Sequence, residues 1–141
     1  MDRESAGLKT FSHGVGQNWY HLVLTPKYRA KVFQFPKTRR LAEEAFEWIC
    51  KRHKIEIFTM EVMPDHVHMF VSCPPTFSVR KMIRIIKGGS SFYIRKGEPS
   101  LKKFNHLWNK GIMYRSIGNV SAEVVRRYID ESNVWETAVK Q

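Results

Sequence analysis

Pro64-Asp65 interrupts a long run rich in β-branched and aromatic residues, and this break constrains the fold more than any other feature of the chain. The residues on either side, Ile55–Val62 and His66–Cys73, read as two strands joined by a turn. The second of these is apolar enough to be a buried strand, and Pro74-Pro75 closes it. It carries His66-Val67-His68. Side chains two apart on a strand share a face, with Cα atoms about 6.7 Å apart. Two imidazoles so placed can reach one metal ion, or can simply be hydrogen-bonded in a polar patch.

The other elements fall around this pair. Trp19–Thr25 reads as a first strand, ended by Pro26 and followed by a basic loop, Lys27-Tyr28-Arg29-Ala30-Lys31. Thr38 is the expected N-cap of a helix to about His53, with Leu41, Ala45, Trp48 and Ile49 at helical spacing. Ser78 is expected to cap a second helix to about Arg95, with Val79, Met82, Ile83 and Ile86 as its apolar stripe and Gly88-Gly89 bending or loosening it. Ile112–Ile117 reads as the fourth strand. After a turn at Gly118-Asn119, Ser121 caps a helix from Ala122 to about Val134. The order β-α-β-β-α-β-α predicts an α+β fold: a ferredoxin-like, split βαβ sandwich with a four-stranded antiparallel sheet and an added C-terminal helix.

With 141 residues, 43% of them hydrophobic, the chain is expected to form a single domain, 1–141, with a flexible N-terminal segment over about 1–16. Cys50 and Cys73 lack zinc or disulfide spacing and fit a reduced compartment. Without an apolar leader or a membrane-length span, a cytoplasmic location is expected. The net charge of +11, from 24 Lys and Arg against 13 acids, calls for a polyanionic partner, most often nucleic acid. Lys27, Arg29 and Lys31 on the first loop, Lys81, Arg84 and Lys87 along the second helix, and Arg115 on the fourth strand are the candidate DNA-binding cations, and together they predict a steep salt dependence. Tyr28, Phe33 and Trp108 are candidate base-stacking rings, although such rings more often fill cores.

Tyr128 lies mid-helix between Arg126-Arg127 and Asp130-Glu131. It packs on the sheet or serves as a nucleophile toward a phosphodiester, which would require cations to stabilise the developing charge.

Five collinear blocks carry a resemblance that the isolated motifs do not. Leu22–Arg29, Pro64–Val71, Ile86–Ser91, Leu107–Ser116 and Gly118–Ile129 resemble the single-tyrosine HUH transposases of small insertion sequences. The resemblance implies an enzyme that cuts and rejoins single-stranded DNA bearing hairpin ends. It implies a divalent metal, Mg or Mn, and a homodimer with composite active sites. Carried over by position, His66 and His68 would be metal ligands and Tyr128 the catalytic nucleophile, forming a 5′-phosphotyrosine. The family usually places a glutamine ligand four residues after the tyrosine, where this chain has Ser132. Glu61, Glu131, Ser132, Asn133 or a water is then the candidate third ligand. Other readings are a domesticated relative acting on repetitive palindromes, or a non-catalytic or decayed nucleic-acid-binding module. The module reading predicts aromatic platforms on the central strands, where His66 and His68 stand instead.

Overall fold

The computed structural model describes residues 7–11 and 14–130. Its main sheet has four strands: β3 (Trp19–Leu24), β4 (Glu56–Met63), β5 (His66–Ser72) and β6 (Met113–Ile117). Their spatial order is β4-β5-β3-β6, antiparallel throughout. The helices α1 (Pro36–Arg52) and α2 (Val79–Gly97) connect them, and a third, α3, spans 122–130. This is the expected split βαβ arrangement, with the added helix in place. The rest of that helix, to about Val134, lies outside the described residues.

Pro64-Asp65 acts as the sequence suggests. It turns β4 into β5 so that Met63 pairs with His66 and Glu61 with His68. The alternation of β3 and β5 then sorts side chains onto two faces. Leu22, Leu24, Val67, Met69 and Val71 point to the side covered by α1 and α2, where they meet Ala45, Phe46, Ile49, Met82 and Ile86. Fully burying one such aliphatic side chain stabilises the fold by about 1.5–3 kcal/mol. The opposite face carries Trp19, Phe70 and Ile117, and α3 covers it with Val124, Val125, Tyr128 and Ile129.

Four local expectations need correction. Thr38 does not cap α1. The helix starts three residues earlier, with Phe35 at the cap position, because Pro36, at its N-terminus, fixes φ there and needs no N–H partner. The Thr38 hydroxyl instead donates to the carbonyls of Val32 and Phe35. Gly88-Gly89 does not interrupt α2, which runs unbroken to Gly97. Phe33 and Trp108 are buried core rings 5.7 Å apart, with Trp108 Nε1 donating to Ser90 Oγ at 3.0 Å. Finally, part of the segment expected to be flexible is paired: β1 (Lys9–Phe11) and β2 (Gly14–Gly16) form an antiparallel ribbon. Residues 1–6 lie outside the described residues.

Ser78 caps α2 as expected, its side chain accepting from Lys81 N at 3.0 Å. Ser121 likewise accepts from Val124 N at 3.3 Å and starts α3. Among the described residues no helix is long and apolar enough to cross a membrane.

Candidate active site

β5 is buried along its whole length because strands flank both its edges and helices cover both its faces. His66 and His68 project to the side covered by α3. Their ring centroids are 4.9 Å apart and the rings are nearly perpendicular, at 86°. Each is tied down through Nδ1. His66 Nδ1 lies 2.8 Å from Asp65 Oδ1, and Asp65 Oδ2 accepts from Arg29 at 3.0 Å. Burial raises the Asp65 pKa, but hydrogen bonds from His66 and Arg29 and the Arg29 charge outweigh it, and the carboxyl stays below its ordinary value.

His68 Nδ1 lies 3.1 Å from Nε2 of His21 on the neighbouring strand β3. The His21 ring stacks on His68 and lies almost parallel to Phe70, 4.3 Å away. Burial, followed by the charges of His68 and Arg115, pushes the His21 pKa down to about 3, so this ring is neutral.

Tyr128 reaches the same place from α3. Its ring centroid lies 6.2 Å from that of His21. The guanidinium carbons of Arg115 and Arg127 lie 4.8 and 5.6 Å from its centre, close enough for cation–π attraction. Arg115 is positioned by register: it pairs with His21 across β3 and β6 and so shares the histidine face.

The structure therefore places His66, His68 and Arg115 on one sheet face, with Tyr128 over that face beside His21 and Arg115. Glu61 shares the histidine face by register, but its side chain is exposed. Among the described residues no three His, Cys, Asp or Glu side chains converge as a ready metal cage. Glu131, Ser132 and Asn133 lie outside the described residues.

Arg29 reaches the site through Asp65 rather than standing as a loose surface cation. It follows Tyr28 in a short 3-10 turn, and both residues have positive φ, 62° and 50°. Lys27 is half-buried and Lys31 exposed in the same loop. Tyr28 is the one expected stacking ring that is open to solvent, 80% exposed.

The helical cations divide. Arg84 and Lys87 line a groove of about 890 Å³ between α2 and the segment leading into β6. Arg80, Arg95 and Lys110 line it too, with Phe92 (60% exposed) and Tyr114 (57% exposed). Lys81 lies elsewhere, its ammonium 4.5 Å from the Phe77 ring centre. The groove lies away from the histidines: Tyr114 pairs with Leu22, which faces α1 and α2.

The sequence shows Asp65 only as a turn residue and assigns His21 no role. The signal for Asp65 was its adjacency to His66. His21 gave none, because the register of β3 against β5 is not written in either strand alone.

The architecture is thus an α+β sandwich with a histidine pair on one sheet face and the Tyr128 helix laid across that face. The chain belongs to the IS200-like transposase family, whose model matches residues 15–132. It is 28% identical to the transposase for insertion sequence element IS200 of Salmonella typhimurium, over 91% of this chain and 88% of that protein. It is also 28% identical to the ISDra2 transposase TnpA of Deinococcus radiodurans, over 81% and 83% of the two chains. Among solved structures, a Deinococcus radiodurans protein described as a transposase superposes with a TM-score of 0.72 at 25% identity, covering 87% of this chain and 96% of that one. A tyrosine transposase bound to a REP hairpin shares the fold, with a TM-score of 0.53 at 15% identity over 89% and 69% of the two chains.

Proposed function

We propose that the protein is a metal-dependent transposase that cleaves and rejoins single-stranded DNA through Tyr128. The observation that carries this reading is the convergence of Tyr128 on the face that holds His66 and His68, within a family of transposases. His66 and His68 fit a divalent cation such as Mn²⁺ or Mg²⁺. Both present imidazole nitrogens from one strand face, and each ring is already oriented through its Nδ1. Such an ion, when bound, polarises a phosphoryl oxygen and offsets charge building on the phosphate.

The chain's own residues do the rest. The Tyr128 phenolic oxygen attacks the scissile phosphorus and loses its proton. A 5′-phosphotyrosine bond forms, the bond to the 3′ oxygen breaks, and that oxygen leaves as a hydroxyl. A second 3′-hydroxyl then attacks the phosphotyrosine, which restores the phenol and joins the new strands. One phosphodiester is exchanged for another, so no nucleotide cofactor is required. Arg115 and Arg127, beside the Tyr128 ring, supply positive charge where the attacking oxygen and the phosphate meet.

The partner is single-stranded DNA with hairpin ends, and the active form is a homodimer. The groove lined by Arg80, Arg84 and Arg95 and edged by Phe92 and Tyr114 suits a phosphate backbone with an unpaired base stacked beside it.

The test is to incubate the protein with labelled single-stranded DNA carrying hairpin ends and Mn²⁺ or Mg²⁺, then look for a covalent adduct on a denaturing gel. The adduct should vanish in Tyr128→Phe and on chelation. Cleavage without an adduct, unchanged by Tyr128→Phe, would sink the mechanism. Binding with no cleavage of any substrate would favour a non-catalytic module.

A further inference from the structure

We infer that Asp65 and His21 are positioning residues that hold His66 and His68 in one tautomer, Nδ1–H, with the Nε2 lone pair turned to the ion. The inference rests on the metal reading above and adds to it the means by which the two rings are set.

An imidazole that binds a cation through Nε2 while neutral carries its proton on Nδ1, and the partner at Nδ1 fixes that choice. Both rings have such a partner here. An ionised carboxylate can only accept, so the 2.8 Å contact to Asp65 requires His66 to donate from Nδ1. Asp65 is itself oriented, because its second oxygen accepts from Arg29 at 3.0 Å. The turn that delivers Arg29 holds Tyr28 and Arg29 at φ 62° and 50°. A left-handed conformation at two successive non-glycine residues costs energy and is sustained only where surrounding contacts require it. The backbone nearby is tied to the same turn, with Phe33 N donating to Pro64 O at 3.0 Å.

His68 has a neutral acceptor instead. His21 Nε2 faces His68 Nδ1 at 3.1 Å, and one proton lies between the two nitrogens. With a cation on His68 Nε2 that proton belongs to His68 Nδ1, so His21 accepts through Nε2 and carries its own proton on Nδ1. Stacking on Phe70 keeps the His21 ring in the plane this bond needs. One ligand thus has an anionic acceptor and the other a neutral one, which makes His66 the more electron-rich donor of the pair.

Nitrogen-15 shifts of the imidazoles, read in the metal-free protein at about pH 8, test the assignment without reference to activity. The expected result is that His66 is Nδ1–H there, the form that free histidine disfavours, and that His68 is Nδ1–H once Mg²⁺ is added. Asp65→Asn sharpens the test. Its single oxygen is claimed by Arg29, so its amide faces His66 Nδ1 and donates. The His66 tautomer should invert while His68 stays as it was. Mn²⁺ affinity, followed by titration, should fall about 10–100-fold. His21→Phe keeps the stack on Phe70 and should release the His68 tautomer alone. An Nε2–H tautomer in the wild-type protein, at His66 without metal or at His68 with Mg²⁺ bound, would overturn the inference and needs no variant to fold. So would an Asp65→Asn protein with an unchanged His66 spectrum and unchanged Mn²⁺ affinity. The assigned His66 tautomer in a wild-type protein that takes up no Mn²⁺ would uphold the hydrogen-bond assignment and overturn the metal reading beneath it.

Discussion

Gly89 on α2 faces Ile49 on α1 so closely that a Cβ added to the glycine would lie 2.3 Å from both Cγ1 and Cδ1 of the isoleucine. The contact is what lets the two helices approach over the core. Gly88, one residue earlier, has nothing within 4 Å of the same position. The two adjacent glycines should therefore respond to alanine with opposite signs. Gly88→Ala removes the glycine penalty in a helix and should stabilise by up to about 1 kcal/mol. Gly89→Ala gains the same propensity, but it overpacks a β-branched side chain with little rotamer freedom, so it should destabilise by about 1–2 kcal/mol net. Urea unfolding of the two variants checks this directly. Equal shifts in the same direction would refute the packing account.

The Gly88-Gly89 pair also marks where the sequence stopped being legible. Read along one strand or helix, the chain discloses its own periodicities. The turn at Pro64, the HxH alternation and the Ser78 and Ser121 caps were all visible that way. What it conceals is the identity of the facing neighbour. Gly89 reads as a weakness until Ile49 is placed against it. Arg29 reads as a surface cation until the turn at Asp65 arrives beside it. His21 reads as one histidine among six until β3 and β5 are set in register. Each of these depends on contacts 36 to 47 residues apart in the chain or on helix–helix packing, for which no local pattern carries a signal.

Cys50 gives a prediction independent of the active site. It is buried on α1, and burial pushes its thiol up to about 12, with Cys73 raised for the same reason. Thiolate is the reactive form, so at pH 8 almost none is available at Cys50 and little solvent reaches it. In the native protein Cys50 should resist a disulfide-exchange reagent, and two thiols should be counted once denaturant is added. Rapid native labelling at Cys50 would contradict the burial.

Lys87 and Arg84 line the same groove but should fail differently. Lys87 donates to the backbone carbonyls of Asn109 and Lys110, at 2.6 and 3.1 Å, and so ties α2 to the segment entering β6. Lys87→Met leaves those carbonyls without the donor and should cost about 1–3 kcal/mol of stability. Arg84 is exposed, so Arg84→Ala should leave stability within about 0.5 kcal/mol. It should instead weaken single-stranded DNA binding and reduce the slope of log K against log salt by about 0.7. Anisotropy titrations across a salt series, beside urea melts, separate the two. An unchanged salt slope in Arg84→Ala would remove this face of α2 from the DNA path.

Arg115 lies over the Tyr128 ring at 4.8 Å, while the tyrosine is only half-buried. A cation–π contact at such an exposed site contributes about 0.5–1 kcal/mol, so Arg115→Ala should barely move the melting curve. Adduct formation should suffer far more. If the guanidinium offsets charge on the phosphate as the phenolic oxygen attacks, its loss should slow the appearance of covalent DNA about 100-fold. Arg115→Lys keeps the charge but lacks the planar fork, so it should recover only part of the rate. Single-turnover assays at saturating DNA isolate this step from binding. The informative quantity is the ratio between the two effects. A variant that loses rate only in proportion to its folded fraction would make Arg115 a support for α3, whereas a folded variant that binds DNA yet forms adduct slowly would place its role at the attack on the phosphate.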